Sequence, residues 1–214
     1  MVPNVENYLY NLLRKRDEVL ERLEKDAEKN NVPIVGPLVG NLLALIAKAA
    51  KARQVLEIGT ATGYSGIWLG RVAKENGGKL TTIENDPERR KIAEKSFRDA
   101  GIADSVELRF GDASKLVPEI AREAPGRFDL VFLDVGAKEM YVQLFRPCVE
   151  SLRVGGFLVG DNTLWNGYVA DRKMNDARTR AVREFNELVY SDIRFHPVII
   201  PLRDGVTVAL KTSK

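Results

Sequence analysis

Several residue types that would narrow the chemistry are scarce in this chain. There is one cysteine, Cys148, so no internal disulfide can form and no cysteine-based zinc site can be built. There is one histidine, His196. A Ser–His–Asp triad would have to pass through it, yet it falls inside an expected strand and reads as structural. A multi-histidine metal site is excluded. Any metal must be held mainly by oxygen, which favours magnesium, manganese or calcium. No apolar run approaches the roughly 20 residues of a membrane span. The opening MVPNVENYLY lacks the basic-then-apolar layout of a signal peptide. Neither sign of charge dominates: 33 Lys and Arg face 30 Asp and Glu, which does not suit a chain whose main task is to grip a nucleic-acid backbone. The expectation is a cytoplasmic enzyme or binding domain with no membrane partner. At 214 residues and 44% hydrophobic, the chain reads as a single domain, 1–214, with a helical extension over 1–51 and a core over 52–214.

The extension carries three amphipathic stretches. Asn4 can cap the first and Asp17 the second, and Pro37 suits the first turn of the third. The Asn30–Asn31 pair and Pro33 break the second from the third. After Lys51 short apolar runs alternate with longer amphipathic stretches. The runs are Gln54–Ile58, Lys79–Glu84, Ser105–Phe110, Phe128–Val135 and Gly156–Gly160. Expected helices lie between them at Tyr64–Glu75, Pro87–Ala100, Ala113–Glu123 and Glu139–Ser151. Such alternation implies an α/β fold whose parallel sheet is covered on both faces. The last third breaks the rhythm. A helix is followed by strands at Phe195–Leu202 and Val206–Lys211, joined by the hairpin turn Asp204–Gly205. The expected architecture is therefore a Rossmann-like, doubly wound, mostly parallel seven-stranded sheet that ends in an antiparallel hairpin, preceded by the N-terminal helices.

In such a sheet ligands bind at the carboxyl ends of the strands. Here those ends carry Glu57 and the loop Gly59–Gly63, then Glu84-Asn85-Asp86, Gly111-Asp112-Ala113, Asp134, and Asp161-Asn162. Core packing does not ask for acids and amides there, and a ligand site does. The glycines at 59, 63 and 66 do not have the spacing of the dinucleotide fingerprint. That disfavours a pyrophosphate and a nicotinamide dehydrogenase, and leaves room for a smaller anion such as an amino-acid carboxylate. Glu84 can accept hydrogen bonds from both hydroxyls of a ribose. Asp112 with Ala113 stands where an adenine amino group is read, and Asp112 is equally a helix N-cap. Asp134, Asp161 and Asn162 form a hard-oxygen set of the kind magnesium accepts. The alternative is a turn at Asp161-Asn162 and a cap at Asp134, with Lys138 as an ion-pair partner.

With these residues assembled, the chain resembles the class I S-adenosylmethionine-dependent O-methyltransferases, and within them the metal-dependent group of caffeoyl-CoA and catechol O-methyltransferases. VLEIGTATGYS, TTIENDPER and FGDAS are similar to the cofactor motifs. FLDV…K…Y and DNTLWNGYV are similar to the metal segments, and FNELV…IIPLRDGVTVALK to the C-terminal helix and hairpin. The resemblance implies that Glu57, Gly59, Tyr64 and Ser65 lie against the methionine part of S-adenosylmethionine, that Thr60 and Gly63 of the same loop bind the cofactor, and that Val35 sits near it. It gives Glu84 the ribose, and Asp112 and Ala113 the adenine, with Asn85 also in the cofactor site. Asp134, Asp161 and Asn162 would ligate a divalent metal, Lys138 would be the base, and Asp134 would serve catalysis and the cofactor as well.

One feature departs from the group. Its lysine usually falls three residues after the metal aspartate, whereas Lys138 stands four after Asp134 and Tyr141 shifts with it. Gly136 can absorb the extra residue as a bulge. Trp165 and Tyr168 can form an aromatic wall for the methyl acceptor or can be packing. The expected acceptor is a small phenolic molecule with two vicinal oxygens. The alternative acceptor is 5-hydroxyuridine in tRNA, whose backbone Arg172, Lys173, Arg178, Arg180 and Arg183 could meet; with Asp171, Asp176 and Glu184 interleaved, the cluster reads more readily as a solvated helix face. A non-catalytic nucleotide-binding module has little need of the acidic trio. Members of the group commonly form homodimers.

Overall fold

The computed structural model of the chain describes residues 3–214, and only the backbone of residues 3 and 4. Three helices come first: α1 (Pro3–Leu12), α2 (Glu18–Asn30) and α3 (Gly36–Ala49). The alternating part follows as β1 (Gln54–Ile58), α4 (Tyr64–Glu75), β2 (Lys79–Glu84), α5 (Pro87–Asp99), β3 (Val106–Phe110), α6 (Ala113–Glu123), β4 (Phe128–Leu133), α7 (Met140–Ser151) and β5 (Leu152–Asp161). The chain closes with α8 (Ala177–Ser191), β6 (Phe195–Ile200) and β7 (Val206–Lys211).

The helices begin where aspartates can cap them. Asp17, Asp86, Asp112 and Asp176 each accept hydrogen bonds from backbone N–H groups in the first turn that follows. Such caps contribute about 1 kcal/mol apiece. Asn4 is different: α1 already includes it, so it does not precede the helix, and its side chain lies outside the described residues. α2 ends where Asn31 turns left-handed at φ 51°.

The seven strands run in the order β3-β2-β1-β4-β5-β7-β6. β1 pairs in parallel with β2 and β4, and β7 lies antiparallel between β5 and β6. The hairpin is thus inserted inner strand last. The reason is in the side chains. β7 buries Val206, Val208 and Ala209, whereas β6 carries Pro197 and the exposed His196 and Val198, which suit an edge. β5 begins at Leu152, earlier than the apolar run suggests, and shifts register against β4 between Phe128 and Leu130. Gly155, at φ 77°, allows the bend.

Side chains along each central strand alternate between two apolar clusters. Val55, Leu130 and Phe132 join α2, α3, α4 and α5 on one face. Leu56, Ile58, Val131 and Leu133 join α6, α7 and α8 on the other. α2 and α3 contribute Leu20, Leu23, Val39 and Leu43 to the cluster that holds Tyr64, Ile67 and Leu69 of α4. The N-terminal helices therefore stand over the strand ends, where they can bound a site.

Candidate active site

The carboxyl ends of β1 to β4 open into a cleft of about 510 Å³. It sits where strand order reverses, between β1 and β4, as the topology of an open parallel sheet requires. The two strand ends approach closely because residue 59 is glycine. Its φ is +108°, and a Cβ there would lie 2.0 Å from the Asp134 carbonyl oxygen.

Val35, Gly59, Thr60, Tyr64, Ser65, Glu84, Asn85, Asp112, Ala113 and Asp134 all face this one cleft, and Lys138, Asn162 and Trp165 join them. Glu84 is held ready by backbone donors. One carboxylate oxygen accepts from the N–H of Ala61 at 2.7 Å, and the other from those of Asn85 and Asp86 at 3.0 and 2.9 Å. Asp112 caps α6 through the N–H of Ser114 and also borders the cleft, so its two sequence readings coexist.

Glu57 and Gly63 are placed otherwise. Glu57 shares the sheet face of Val55, so it points under α4 and is fully buried. It accepts hydrogen bonds at 2.6 Å from Ser65 Oγ and Thr82 Oγ1. Burial, against those bonds, raises its carboxyl to about 7. Glu57 supports the loop from below rather than lining the cleft. Gly63 is the left-handed N-cap of α4, its N–H spent on the Thr60 carbonyl and its Cα packed toward Phe97. Thr82, which bridges Glu57 and Thr60, has no sequence signature beyond a polar residue within an apolar strand.

At the far end of the cleft stands the acidic set. The extra residue after Asp134 leaves Gly136 and Ala137 exposed. Gly136 does not use a positive φ, and a Cβ there would meet nothing within 4 Å. The loop absorbs the insertion by bulging into solvent and has no need of glycine. Lys138 turns inward at 3% exposure. Its Nζ donates to Asn162 Oδ1 at 2.8 Å, to Tyr141 Oη at 2.8 Å and to Asp134 Oδ1 at 3.3 Å. Tyr141 Oη lies 3.1 and 3.0 Å from the carbonyl oxygens of Leu133 and Asp161. It thereby ties the ends of β4 and β5 together. Asp161 is buried, and no side chain among the described residues forms an ion pair with it. Burial and the neighbouring Asp134 push its carboxyl up to about 7.

A second cavity of about 670 Å³ lies on the other side of this set. Asp134, Asp161 and Asn162 form one wall, and Tyr10, Glu24, Pro33, Ile34 and Arg203 stand among the others. Asp134 and Asn162 belong to both cavities. The donor set fits a hard cation: two carboxylates and an amide oxygen on one cavity wall, one of the carboxylates buried and in no ion pair among the described residues. Among the described residues no three His, Cys, Asp or Glu side chains cluster, so a cation held here would need the Asn162 amide as a donor.

The aromatic pair divides. Trp165 borders the cleft, whereas Tyr168 is 40% exposed and lines neither cavity. Left-handed backbone at Trp165, Asn166 and Gly167 turns the chain between them. The basic cluster is partly spent on its own loop. Arg183 donates to the carbonyls of Tyr168, Val169 and Asp171, and Arg180 to that of Asn175. His196 sits on the outer strand, away from both cavities. Arg203 went unassigned in the sequence. It donates to the carbonyls of Ile34 and Val35 and so joins the hairpin to the N-terminal segment.

Known proteins share this fold. The family model described as O-methyltransferase matches residues 12–212. A catechol O-methyltransferase of Niastella koreensis is 30% identical, over 97% of this chain and 96% of that protein. The solved structure of the O-methyltransferase TomG from Streptomyces achromogenes, in complex with SAM, superposes with a TM-score of 0.89 at 33% identity, covering 98% of this chain and 96% of TomG. An O-methyltransferase from Bacillus cereus in complex with SAH gives a TM-score of 0.88 at 30% identity, covering 98% and 97%. The chain belongs to the O-methyltransferase family.

Proposed function

We propose that this enzyme transfers the methyl group of S-adenosylmethionine to one oxygen of a vicinal dihydroxy aromatic molecule. A divalent cation, magnesium foremost, would be held by Asp134, Asp161 and Asn162. The observation that carries the reading is that two cavities meet at Asp134 and Asn162. One has the polar strand ends suited to a nucleoside and an amino acid, and the other opens beneath the N-terminal helices. A donor and an acceptor placed in them would face each other across the acidic set.

Each side chain then has a task. Glu84, already fixed by three backbone N–H groups, would accept from the ribose hydroxyls, and Asp112 and Ala113 would border the adenine. The N-terminus of α4 at Tyr64 and Ser65 favours the carboxylate of the methionine part. Bound in such a set, a divalent cation acidifies and orients a vicinal diol. Lys138 Nζ would take the proton of the acceptor hydroxyl. The remainder is positioning, because sulfur, carbon and oxygen must align at near-contact distance.

No helix among the described residues is long and apolar enough to cross a membrane. We read the enzyme as cytoplasmic, and as a homodimer that covers Val5, Tyr8 and Leu12, which α1 leaves exposed. The test of function is a labelled-methyl screen against catechol, caffeoyl and flavonoid acceptors and total unmodified tRNA, with magnesium or with excess EDTA. Transfer to catechols that EDTA abolishes and magnesium restores supports the reading. Full activity in EDTA contradicts the cation, and transfer to tRNA alone contradicts the acceptor.

A further inference from the structure

Lys138 lies where the cation reading would put a metal. Its Nζ reaches both Asn162 Oδ1 and Asp134 Oδ1, two of the three oxygens assigned to the ion, and it is almost wholly buried. The ammonium is held there from behind by Tyr141, whose hydroxyl accepts at 2.8 Å and whose ring centroid lies 4.6 Å from Nζ. The inserted residue between Asp134 and Lys138 is accommodated by the exposed Gly136–Ala137 bulge, which leaves the lysine free to reach this position.

We infer that Lys138 is a resident cation of the metal site, and that it and the divalent ion occupy the Asp134–Asn162 oxygens alternately. The inference rests on the cation reading above. Without metal the ammonium neutralises Asp134 and saturates the Asn162 oxygen. When the ion arrives, two cations cannot share those oxygens at close range, so Nζ gives them up and swings toward the cleft it already borders. Asp161, which Lys138 does not bond, remains available as the first ligand the ion meets.

Two measurements test this. Mn²⁺ binding is followed by the paramagnetic resonance of the free ion in wild type, Lys138→Met, Tyr141→Phe and Asp161→Ala. Loss of the competing charge-assisted bonds should lower the dissociation constant about tenfold or more in Lys138→Met. Tyr141→Phe, which loosens the lysine without removing it, should shift the constant the same way by less. Asp161→Ala should abolish binding. Separately, acylation of Lys138 by an amine reagent, read by mass spectrometry, should be slow in the metal-free wild type and faster with saturating Mg²⁺. Equal or weaker Mn²⁺ affinity in Lys138→Met overturns the proposal. So does Lys138 acylation that ignores Mg²⁺, because a simple gain of negative charge would tighten binding without moving the side chain. If neither wild type nor Lys138→Met binds Mn²⁺, the cation reading itself fails and the proposal falls with it.

Discussion

The carboxylate of Asp204 accepts a hydrogen bond from the backbone N–H of Asn166. This joins the hairpin turn between β6 and β7 to the stretch after β5. The Asp204 and Gly205 carbonyls accept from Leu164 and Thr163 in the same contact. Gly205 packs so closely that a Cβ would fall 2.4 Å from Leu164 Cγ. The contact holds Trp165 and Asn166 in left-handed backbone at φ 46° and 53°, a conformation that costs non-glycine residues of order 1 kcal/mol or more. Asp204→Ala should lower stability by about 1 kcal/mol, a fall of roughly 2–4 °C in Tm for a chain of this size. It should also raise KM for the acceptor more than for the cofactor. Thermal melts and paired KM values check this.

Glu84 is the cofactor residue with the most direct consequence. Its carboxylate is buried and already carries backbone donors on both oxygens. Glu84→Gln should weaken S-adenosylmethionine binding about 10- to 100-fold, the worth of charge-assisted hydrogen bonds. Calorimetric titration of wild type and variant measures it, and kcat at saturating cofactor should change less than KM.

At Gly59 a side chain has nowhere to go. Gly59→Ala would place a methyl group 2.0 Å from the Asp134 carbonyl at φ +108°. The ends of β1 and β4 would have to part, at a cost of about 3 kcal/mol or more. The expected outcome is insoluble protein, or a soluble protein with a lowered denaturation midpoint and no measurable cofactor binding.

Glu57 makes stability depend on pH. Its carboxyl rises from 4.5 to about 7 on folding, chiefly through burial. The folded chain therefore holds a proton that the unfolded chain has released, and stability from this group falls as pH rises from the ordinary carboxylate range to about 7. Glu57→Gln keeps an acceptor for Ser65 and removes the titration. The Tm difference, variant minus wild type, should grow from pH 5 to pH 8. A difference that does not vary with pH would contradict the assignment.

Much of this was legible in the sequence because it rests on local physics. Periodicity marks the helices, aspartates mark their starts, and polar strand ends in an otherwise apolar sheet mark the cleft. What was not legible depends on direction or order. Glu57 stands at a strand end, yet strand parity turns it beneath α4, and parity is set by pairing partners distant in sequence. The hairpin was visible, but not that β7 enters the sheet inside β6, since the choice is made by which strand buries better against β5. Tyr168 is separated from Trp165 by a left-handed kink that the sequence WNGY suggests only through its Asn-Gly pair. The inward turn of Lys138 was also hidden. The insertion that made its placement doubtful is accommodated in solvent, and the lysine is drawn back by oxygens from the residue after β4, from α7 and from the residue after β5.

The most direct measurement compares two acceptors at saturating S-adenosylmethionine and magnesium: a 3,4-dihydroxy aromatic and its 4-hydroxy counterpart. If the acidic set works by gripping two neighbouring oxygens through one cation, the dihydroxy compound is methylated and the monohydroxy compound reacts at least about 100-fold more slowly. Comparable rates for the two would show that chelation has no part in the reaction.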